Sequence, residues 1–385
     1  MLYNLKIMKA LFPLSFFVAF NLFLLSTCYF FLQPPVLAQF NRVQLNHPLK
    51  PCWQYSEEIA SPLQILDSTA FFSLSDGTIE ALDTTTGKMI WRSQYGGALI
   101  IPPTLVNGKL LVAHKTSGDK PGNKENDSQE IFLRLLSPTT GLTLWQKSLN
   151  FDPNLSRFFV FFGNSASNSS SIILISDKSI TALDKNNFSV LWTRNFSSSF
   201  SSFLFAEDSI FVASGNKLSA ISTQTGTVLS QIQHDNSIVG KMNFLNGTIY
   251  FGDEAGKIFA YDTRKRKMLW KAITGASAVS IKAFERKVLV SSNDNFVYLL
   301  SAQNGDKVWK RRFPTKPIND LLVYEKFVII ETLDENKIYI LSLETGEIKN
   351  QIELDSTPIV SPVVTPNFLL IPTAKGLKAF ANSCS

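Results

Sequence analysis

Seven times along the chain a short apolar run ends in a small polar residue, turns, and is followed by a second run. The first runs are IEALD before Gly87, FLRLLS before Gly141, ITALD before Asn187, LSAIS before Gly226, IFAYD before Lys265, VYLLS before Gly305 and IYILS before Gly346. Each has the length of a strand, and the closing residue is Asp83, Ser137, Asp184, Ser222, Asp262, Ser301 or Ser342. Aspartate and serine share a short side-chain oxygen that accepts backbone N–H bonds two residues on, so the alternation answers a turn requirement and not a titrating site. The glycine that usually follows supplies a positive φ at little steric cost. Asp76-Gly77, Asn107-Gly108, Gly215-Asn216 and Asn246-Gly247 add hairpin signals between runs such as TAFFSL and TIEALD. Past the N-terminal segment no stretch has sustained helical periodicity, so the pattern predicts an all-β protein.

The second runs carry Trp91, Trp145, Trp192, Ser230, Trp270, Trp309 and Asn350 in one register, at spacings of 54, 47, 38, 40, 39 and 41 residues. One copy, Ala81-Leu82-Asp83-Thr84-Thr85-Thr86-Gly87-Lys88-Met89-Ile90-Trp91, fits A-x-D-x-x-T-G-K-x-x-W position for position. This pattern resembles the docking repeat of quinoprotein-type, PQQ-like β-propellers, and assigns Ala81, Asp83, Thr86, Gly87, Lys88 and Trp91 to docking. The resemblance implies one blade per repeat and a single array from residue 39 to residue 385. Tryptophan has the size to fill the gap between neighbouring twisted sheets, which makes these packing residues and not a cofactor stack.

One further period beyond Asn350 would fall near position 390, past the last residue, whereas Trp53 lies 38 residues before Trp91. Lys50-Pro51-Cys52-Trp53 aligns with Lys88-Met89-Ile90-Trp91, and Leu377-Lys378-Ala379-Phe380 with the strand that should precede it. The expectation is an eight-bladed propeller of four-stranded blades, closed by pairing the N-terminal strand with the last blade. Such pairing removes an open sheet edge that would otherwise template aggregation. With 45% hydrophobic residues and 31 phenylalanines, the chain can bury the layers between blades.

Residues 1–38 read as a targeting segment: Lys6 and Lys9, an uncharged apolar run from Ala10 to Leu32, then Val36-Leu37-Ala38 before Gln39. The run suits either a cleaved signal peptide or a retained membrane anchor through residues 10–32, and both export the propeller. Leu25-Ser26-Thr27-Cys28 departs from a lipoprotein site at its threonine. Cleavage would lower the formal charge from +6 to +4. An excess that small, read as scattered, together with export argues against nucleic-acid binding. The one dense basic run, Arg264-Lys265-Arg266-Lys267, is expected to be a solvated turn, with an anionic lipid or polysaccharide contact as its rival. Cys52 and Cys384 both fall near the closing strands in a compartment that permits oxidation, which favours a disulfide. Register counts against it, because an extended tail would carry Cys384 about 16 Å past the partner of Cys52.

Within the resemblance two groups differ: large quinone-dependent alcohol dehydrogenases, and smaller non-enzymatic propellers typified by a periplasmic lipoprotein of outer-membrane assembly. The enzymes carry pocket-building insertions, adjacent cysteines and carboxylate ligands for a calcium-type ion. Here no two cysteines adjoin, so no catalytic, cofactor-binding or metal residue is carried over and no cofactor is expected. His47, His114 and His234 lie far apart and are expected in surface or loop roles. Asp253-Glu254 and Asp334-Glu335 are expected as solvated turn pairs, and Gly96-Gly97 lacks the helix start that a phosphate loop needs. Arg157-Phe158-Phe159-Val160-Phe161-Phe162 reads as the first strand of the third blade, and Asn195-Phe196-Ser197 and Asn246-Gly247-Thr248 would matter only in a eukaryotic secretory route. The functional expectation is therefore an exported, periplasmic or extracellular, monomeric scaffold that holds an unidentified envelope protein. Its rivals are a reduced quinone-dependent oxidoreductase and a carbohydrate- or small-ligand-binding propeller marked by aromatic and polar residues in the central funnel.

The segment KTSGDKPGNKENDSQE, residues 115–130, is charged and has no large apolar side chain to bury. Closure entropy grows slowly with loop length, so replacing the segment by a short Gly-containing turn should change unfolding free energy by no more than about 1 kcal/mol in a denaturant titration.

Overall fold

The computed structural model describes residues 42–95, 99–115, 131–149, 159–162, 171–184, 187, 189–333 and 335–384. The targeting segment with Cys28, Gly96-Gly97, residues 116–130, Arg157-Phe158 and Asp334 lie outside the described residues. The chain divides into two compact units, Met1–Arg42 and Val43–Ser385, and all described strands belong to the second.

Among the described residues that unit contains strands and no helix, arranged as four-stranded antiparallel sheets. Seven sheets follow one another along the chain, over residues 64–93, 99–149, 159–195, 202–233, 238–273, 278–312 and 317–353, each with its strands in sequence order. The third begins with Phe159–Phe162, paired to Ser171–Ile175. An eighth takes three strands from residues 363–381 and its fourth, Lys50–Tyr55, from the other end of the unit. The fifth and sixth sheets are joined by one parallel bridge, Lys241 to Ser280.

Burial explains why the apolar runs differ in pattern. Second strands such as Thr248–Asp253 and Phe327–Thr332 are buried at every position, because both their faces meet neighbouring sheets. Fourth strands such as Val228–Gln233 and Lys307–Arg312 alternate exposed and half-buried positions at the outer edge. A continuous apolar run thus marks the middle of a sheet and an alternating one marks its border.

The register between third and fourth strands repeats in every sheet. Ala81 faces Trp91, Leu135 faces Trp145, Ala182 faces Trp192 and Ala220 faces Ser230. Ala260 faces Trp270, Leu299 faces Trp309, Ile340 faces Asn350 and Ala379 faces Trp53. A bulge at the residue before the tryptophan position recurs in all eight, and in the last of them the bulged residue is Cys52. A bulge re-aims the side chain it carries. Past Ala381 the chain bends at Asn382 and Ser383, and Cys52 and Cys384 form a disulfide with a Cα separation of 5.2 Å. The extended tail assumed from register is replaced by a bend that brings Cys384 back.

All the closing residues but Ser137, which bonds the Thr139 hydroxyl, accept backbone amides of their turns: Asp83 Oδ1 accepts those of Thr85 and Thr86 at 2.8 Å, and Asp262 Oδ1 those of Arg264 and Lys265. The Gly87 amide then donates to the Asp83 carbonyl, with φ at +69°. A Cβ on Gly87 would stand 2.5 Å from the ring of Trp53, and one on Gly305 2.6 Å from the ring of Trp270. Trp91 covers Gly141, Trp192 covers Gly226 and Trp309 covers Gly346 in the same way. The tryptophan of one sheet therefore lies flat on the turn of the next. Glycine is required there twice, by the left-handed backbone and by the ring.

Apolar clusters span consecutive sheets: Trp91 and Phe71 pack with Leu110 and Val112, and Trp270 and Tyr250 with Val288 and Tyr298. Val43, Leu45, Ile338 and Ile340 pack with Leu369 and Ile371, while Leu370, Leu377 and Ala379 pack with Phe72 and Leu82. Trp270→Ala should cost about 3 to 5 kcal/mol in unfolding free energy, as a large-to-small change between sheets. Gly305→Ala should destabilise the parent as well, and the two costs should be less than additive in the double variant, because removing the ring relieves part of the clash. Fully additive costs in denaturant titrations would contradict the stacking.

Candidate functional site

The docking motif is completed by hydrogen bonds between sheets. Trp91 Nε1 donates to the Pro138 carbonyl at 2.8 Å, Trp192 to Thr223 at 3.2 Å, Trp270 to Ala302 at 2.9 Å and Trp309 to Leu343 at 3.1 Å. Each acceptor directly follows the residue that closes the third strand. The side chain two positions after the tryptophan donates to the next turn as well: Ser93 to Gly141 O, Lys147 to Asn187 O, Arg194 to Gly226 O and Arg311 to Gly346 O. This second contact was invisible in the sequence because serine, lysine and arginine share no side-chain pattern, only an ability to donate. Thr86 Oγ1 bonds within its own turn, and Lys88 is exposed. Where the seventh sheet lacks a tryptophan, Asn350 Nδ2 donates to the carbonyls of Leu45 and His47, so the N-terminal segment stands in for the missing turn.

Titratable side chains are buried more deeply than the sequence suggested. Glu80 is fully buried, bonded by Arg92 and by the hydroxyl of Tyr55, and Arg92 also reaches Glu57. Burial and the Glu80 carboxylate push the Tyr55 hydroxyl well above its ordinary value. Asp253, expected as a solvated turn former, is also fully buried; Oδ1 accepts the Lys257 amide at 2.8 Å and Oδ2 the Asn236 amide at 3.0 Å. Burial alone would raise its carboxyl, but these donors and His234 hold it below the usual range. His234 packs edge-on against Phe251 and Phe259. Glu335 accepts the hydroxyls of Thr332 and Tyr339. His47 is exposed and His234 lies half-buried in the connection between two sheets, as expected, whereas His114 departs from that expectation. His114 is 1% exposed, stacked on Phe132, with neither ring nitrogen hydrogen-bonded. Burial, with the Arg134 guanidinium close by, lowers it to about 4.

A cavity of about 490 Å³ opens against the first strands of the fourth to seventh sheets, where Phe200, Phe203, Ser202, Asn243, Lys241 and Lys282 meet. Its wall is held by bonds between those strands: Ser202 Oγ accepts the Met242 amide at 3.2 Å, and Asn243 Oδ1 the Ala283 amide at 3.0 Å. Positive charge is concentrated in one stretch of the chain, with six of its cations on the fourth strands of the fifth and sixth sheets. Thirteen of the 37 Lys and Arg residues, but three of the 31 Asp and Glu, lie in residues 264–316, a net +10. The remaining residues sum to −4, so the basic excess is concentrated and not scattered.

With this geometry in view, the family described as outer membrane protein assembly factor BamB matches residues 50–160, 176–283 and 267–376. The chain belongs to that family. Among solved structures, BamB from Moraxella catarrhalis superposes with a TM-score of 0.66 at 14% identity, over 87% of this chain and 100% of that one. The computationally designed Ika8 protein gives 0.68 at 14% identity, over 86% and 98%. Sqt1 of Saccharomyces cerevisiae gives 0.67 at 10% identity, again over 86% and 98%. At such identities the likeness establishes the propeller fold alone. A quinoprotein ethanol dehydrogenase of Pseudomonas aeruginosa is 28% identical over 113 residues, 27% of this chain and 17% of the enzyme. The chain thus matches about a sixth of that enzyme's length.

The metal that accompanies a quinone would need a donor set that the described residues do not present. No group of three or more His, Cys, Asp or Glu among them is arranged to hold a metal ion, and the three cysteines of the sequence are separated.

His114 carries a pH dependence. Its folded-state value lies below the ordinary 6.5 of an unfolded chain, so folding favours the neutral ring. The stability it contributes is complete above about pH 6.5 and declines as pH falls toward about 4. His114→Leu, which removes an unpartnered buried polar ring, should be at least as stable as the parent at neutral pH. Between pH 6.5 and 4 it should lose less stability than the parent by on the order of 3 kcal/mol, read from urea unfolding at both ends.

Proposed function

We propose that the protein is an exported scaffold for protein–protein interaction in the cell envelope, a closed eight-bladed propeller with no catalysis of its own. The observation that carries this reading is membership of the family described as an outer membrane assembly factor, over three matched stretches that run from residue 50 to residue 376. Residues 1–38 act in it as signal peptide or membrane anchor and residues 39–385 as one monomeric propeller domain. Closure is supported by four features of the eighth sheet. Its strands come from both ends, the Cys52–Cys384 disulfide ties them, and apolar clusters reach the sheets on either side. Tyr55, on its N-terminal strand, binds the buried Glu80 of the first sheet. A rigid array of this kind holds surface loops in fixed relation, which is what a scaffold requires. The partner is an envelope protein.

A quinone-dependent oxidoreductase of reduced size is the second reading, favoured by the stretch shared with the ethanol dehydrogenase. Small-ligand or carbohydrate binding draws on the aromatic and polar lining of the cavity at Phe200, Phe203 and Asn243. One set of measurements separates these readings. Cross-linking in intact cells, followed by purification of the full chain, should recover an envelope protein in fixed stoichiometry, and adding quinone and calcium should give no dye-linked alcohol oxidation. Turnover that appears on reconstitution, with no cross-linked partner, would replace the scaffold by the enzyme.

A further inference from the structure

The net +10 of residues 264–316 falls mainly on the fifth and sixth sheets, which are neighbours joined by the Lys241–Ser280 bridge and by the cluster around Trp270. Their fourth strands, Lys267–Ile273 and Lys307–Arg312, each end a sheet and are therefore outer edges. Lys267, Lys271, Lys307, Lys310 and Arg312 stand exposed on these two strands, and none makes an ion pair with a described residue. The ammonium groups of Lys307 and Lys310 lie 5.8 and 4.8 Å from the ring centres of Tyr298 and Phe296, which attract the cations without neutralising them.

Apart from the exposed Lys50, which makes no ion pair with a described residue, cations on other fourth strands are used differently. Arg92 is bound by Glu57 and Glu80, Lys147 and Arg194 by carbonyls of the next turn, and Lys349 by Glu347. The unpaired cations of the fifth and sixth sheets are also interleaved with apolar side chains left in water: Met268 at 41%, Leu269 at 43%, Ile273 at 70% and Val308 at 56% exposure. The turn above adds Arg264, which meets only the exposed Glu207, and Arg266.

We propose that the outer edges of the fifth and sixth sheets form a docking surface for an anionic phospholipid bilayer. The occupant follows from charge and from shape. Five unpaired cations on adjacent edges call for a polyanion, and lysine dominates them, a compact point charge without the bidentate fork that arginine offers to a shaped phosphate or carboxylate site. Exposed aliphatic and thioether side chains between the cations fit the headgroup and acyl boundary, where a polysaccharide or nucleic acid would leave them wet. The inference stands apart from the scaffold reading, since a propeller lying on a membrane needs no particular protein partner.

The test is co-sedimentation of the full chain with phosphatidylcholine vesicles and with vesicles of equal parts phosphatidylcholine and phosphatidylglycerol. Any insertion by the apolar run at residues 10–32 contributes to both, so the ratio of the two affinities reads the charge. One lysine at an anionic leaflet adds about five-fold, and three in contact give a ratio of about 100 that falls as salt is raised. Reversing Lys267, Lys271, Lys307, Lys310 and Arg312 to Glu should bring the ratio close to one. Reversing Lys50, Lys109, Lys217, Lys257 and Lys375, which changes net charge equally, should leave most of it. If the reversed set does not fold, as judged by its unfolding midpoint, replacing the same five residues by Gln should still lower the ratio at least ten-fold. Equal losses in the two sets would overturn the proposal, and so would a parent ratio near one. Binding of soluble polyglutamate as tightly as the anionic vesicles would reassign the surface to an acidic polypeptide.

Discussion

An indole ring lying on a glycine holds this molecule together. Each contact joins the fourth strand of one sheet to the turn before the fourth strand of the next, so a sheet is fixed to its neighbour at its outer border while the apolar cluster fixes the middle. The ring needs a flat surface within van der Waals reach, and only a residue without Cβ gives one at a position whose backbone is already left-handed. The indole N–H then finds a carbonyl three residues before that glycine. Position, orientation and spacing of adjacent sheets are set by one side chain. Trp53 is the informative departure: its ring covers Gly87, yet its buried Nε1 has no acceptor. The interface between the eighth and first sheets keeps the stacking and gives up the hydrogen bond, and the Tyr55, Glu80 and Arg92 network beside it supplies polar attachment instead.

The same constraint accounts for what happens where the tryptophan is missing. At Ser230 the fourth and fifth sheets are held by the cluster of Phe211, Phe251 and Phe259 and by Ser201 and Ser202, which bond the backbone of the following first strand. At Asn350 the neighbouring turn is not continuous chain at all: Asn382 of one end clasps Gln44 and Pro48 of the other, and Asn350 bonds the carbonyls this arrangement presents. An amide that donates to two carbonyls replaces a ring that needs a glycine. The substitution makes physical sense because a two-chain turn offers carbonyls but no TG pair.

Most of the fold was legible because its parts are local. Asp83 to Trp91 lies within one hairpin, and a turn and a packing residue can be read from nine positions without knowing the partner. The pairing of Lys50–Tyr55 was legible for a related reason, since a missing repeat element has one place to go. What stayed hidden depends on neighbours distant in sequence. Asp253 looked like any acidic turn residue, and its burial follows from His234 and Asn236 of the preceding connection. His114 ends a strand that happens to lie between Phe132 and Tyr95. The path of Cys384 was misjudged because a bulge at Cys52 and a bend at Asn382 each shift register by amounts that strand counting treats as zero. The basic concentration, in contrast, was in the sequence throughout; counting over the whole chain averaged +10 against −4 and concealed it.

That polarity bears on how the propeller can be used. The inner border, with its cavity at Lys241 and Lys282, is small and mixed in character, and side chains of its first strands bond backbone amides of the next. The outer border repeats a fourth strand eight times, nearly always with apolar residues just before the tryptophan position exposed. A solvent-facing strand edge with apolar side chains is a hazard for self-association unless charge is placed along it. On the first, third and seventh sheets charge is present but bound within the molecule, and on the fifth and sixth it is left unpaired. Edge protection alone needs only scattered lysines, and five unpaired cations on two adjacent edges exceed it. Asp262 offsets part of the charge at Lys267, and the rings of Tyr298 and Phe296 lie under Lys307 and Lys310, but none of the five forms an ion pair with a described residue, so an anionic partner at that border would relieve the repulsion among them.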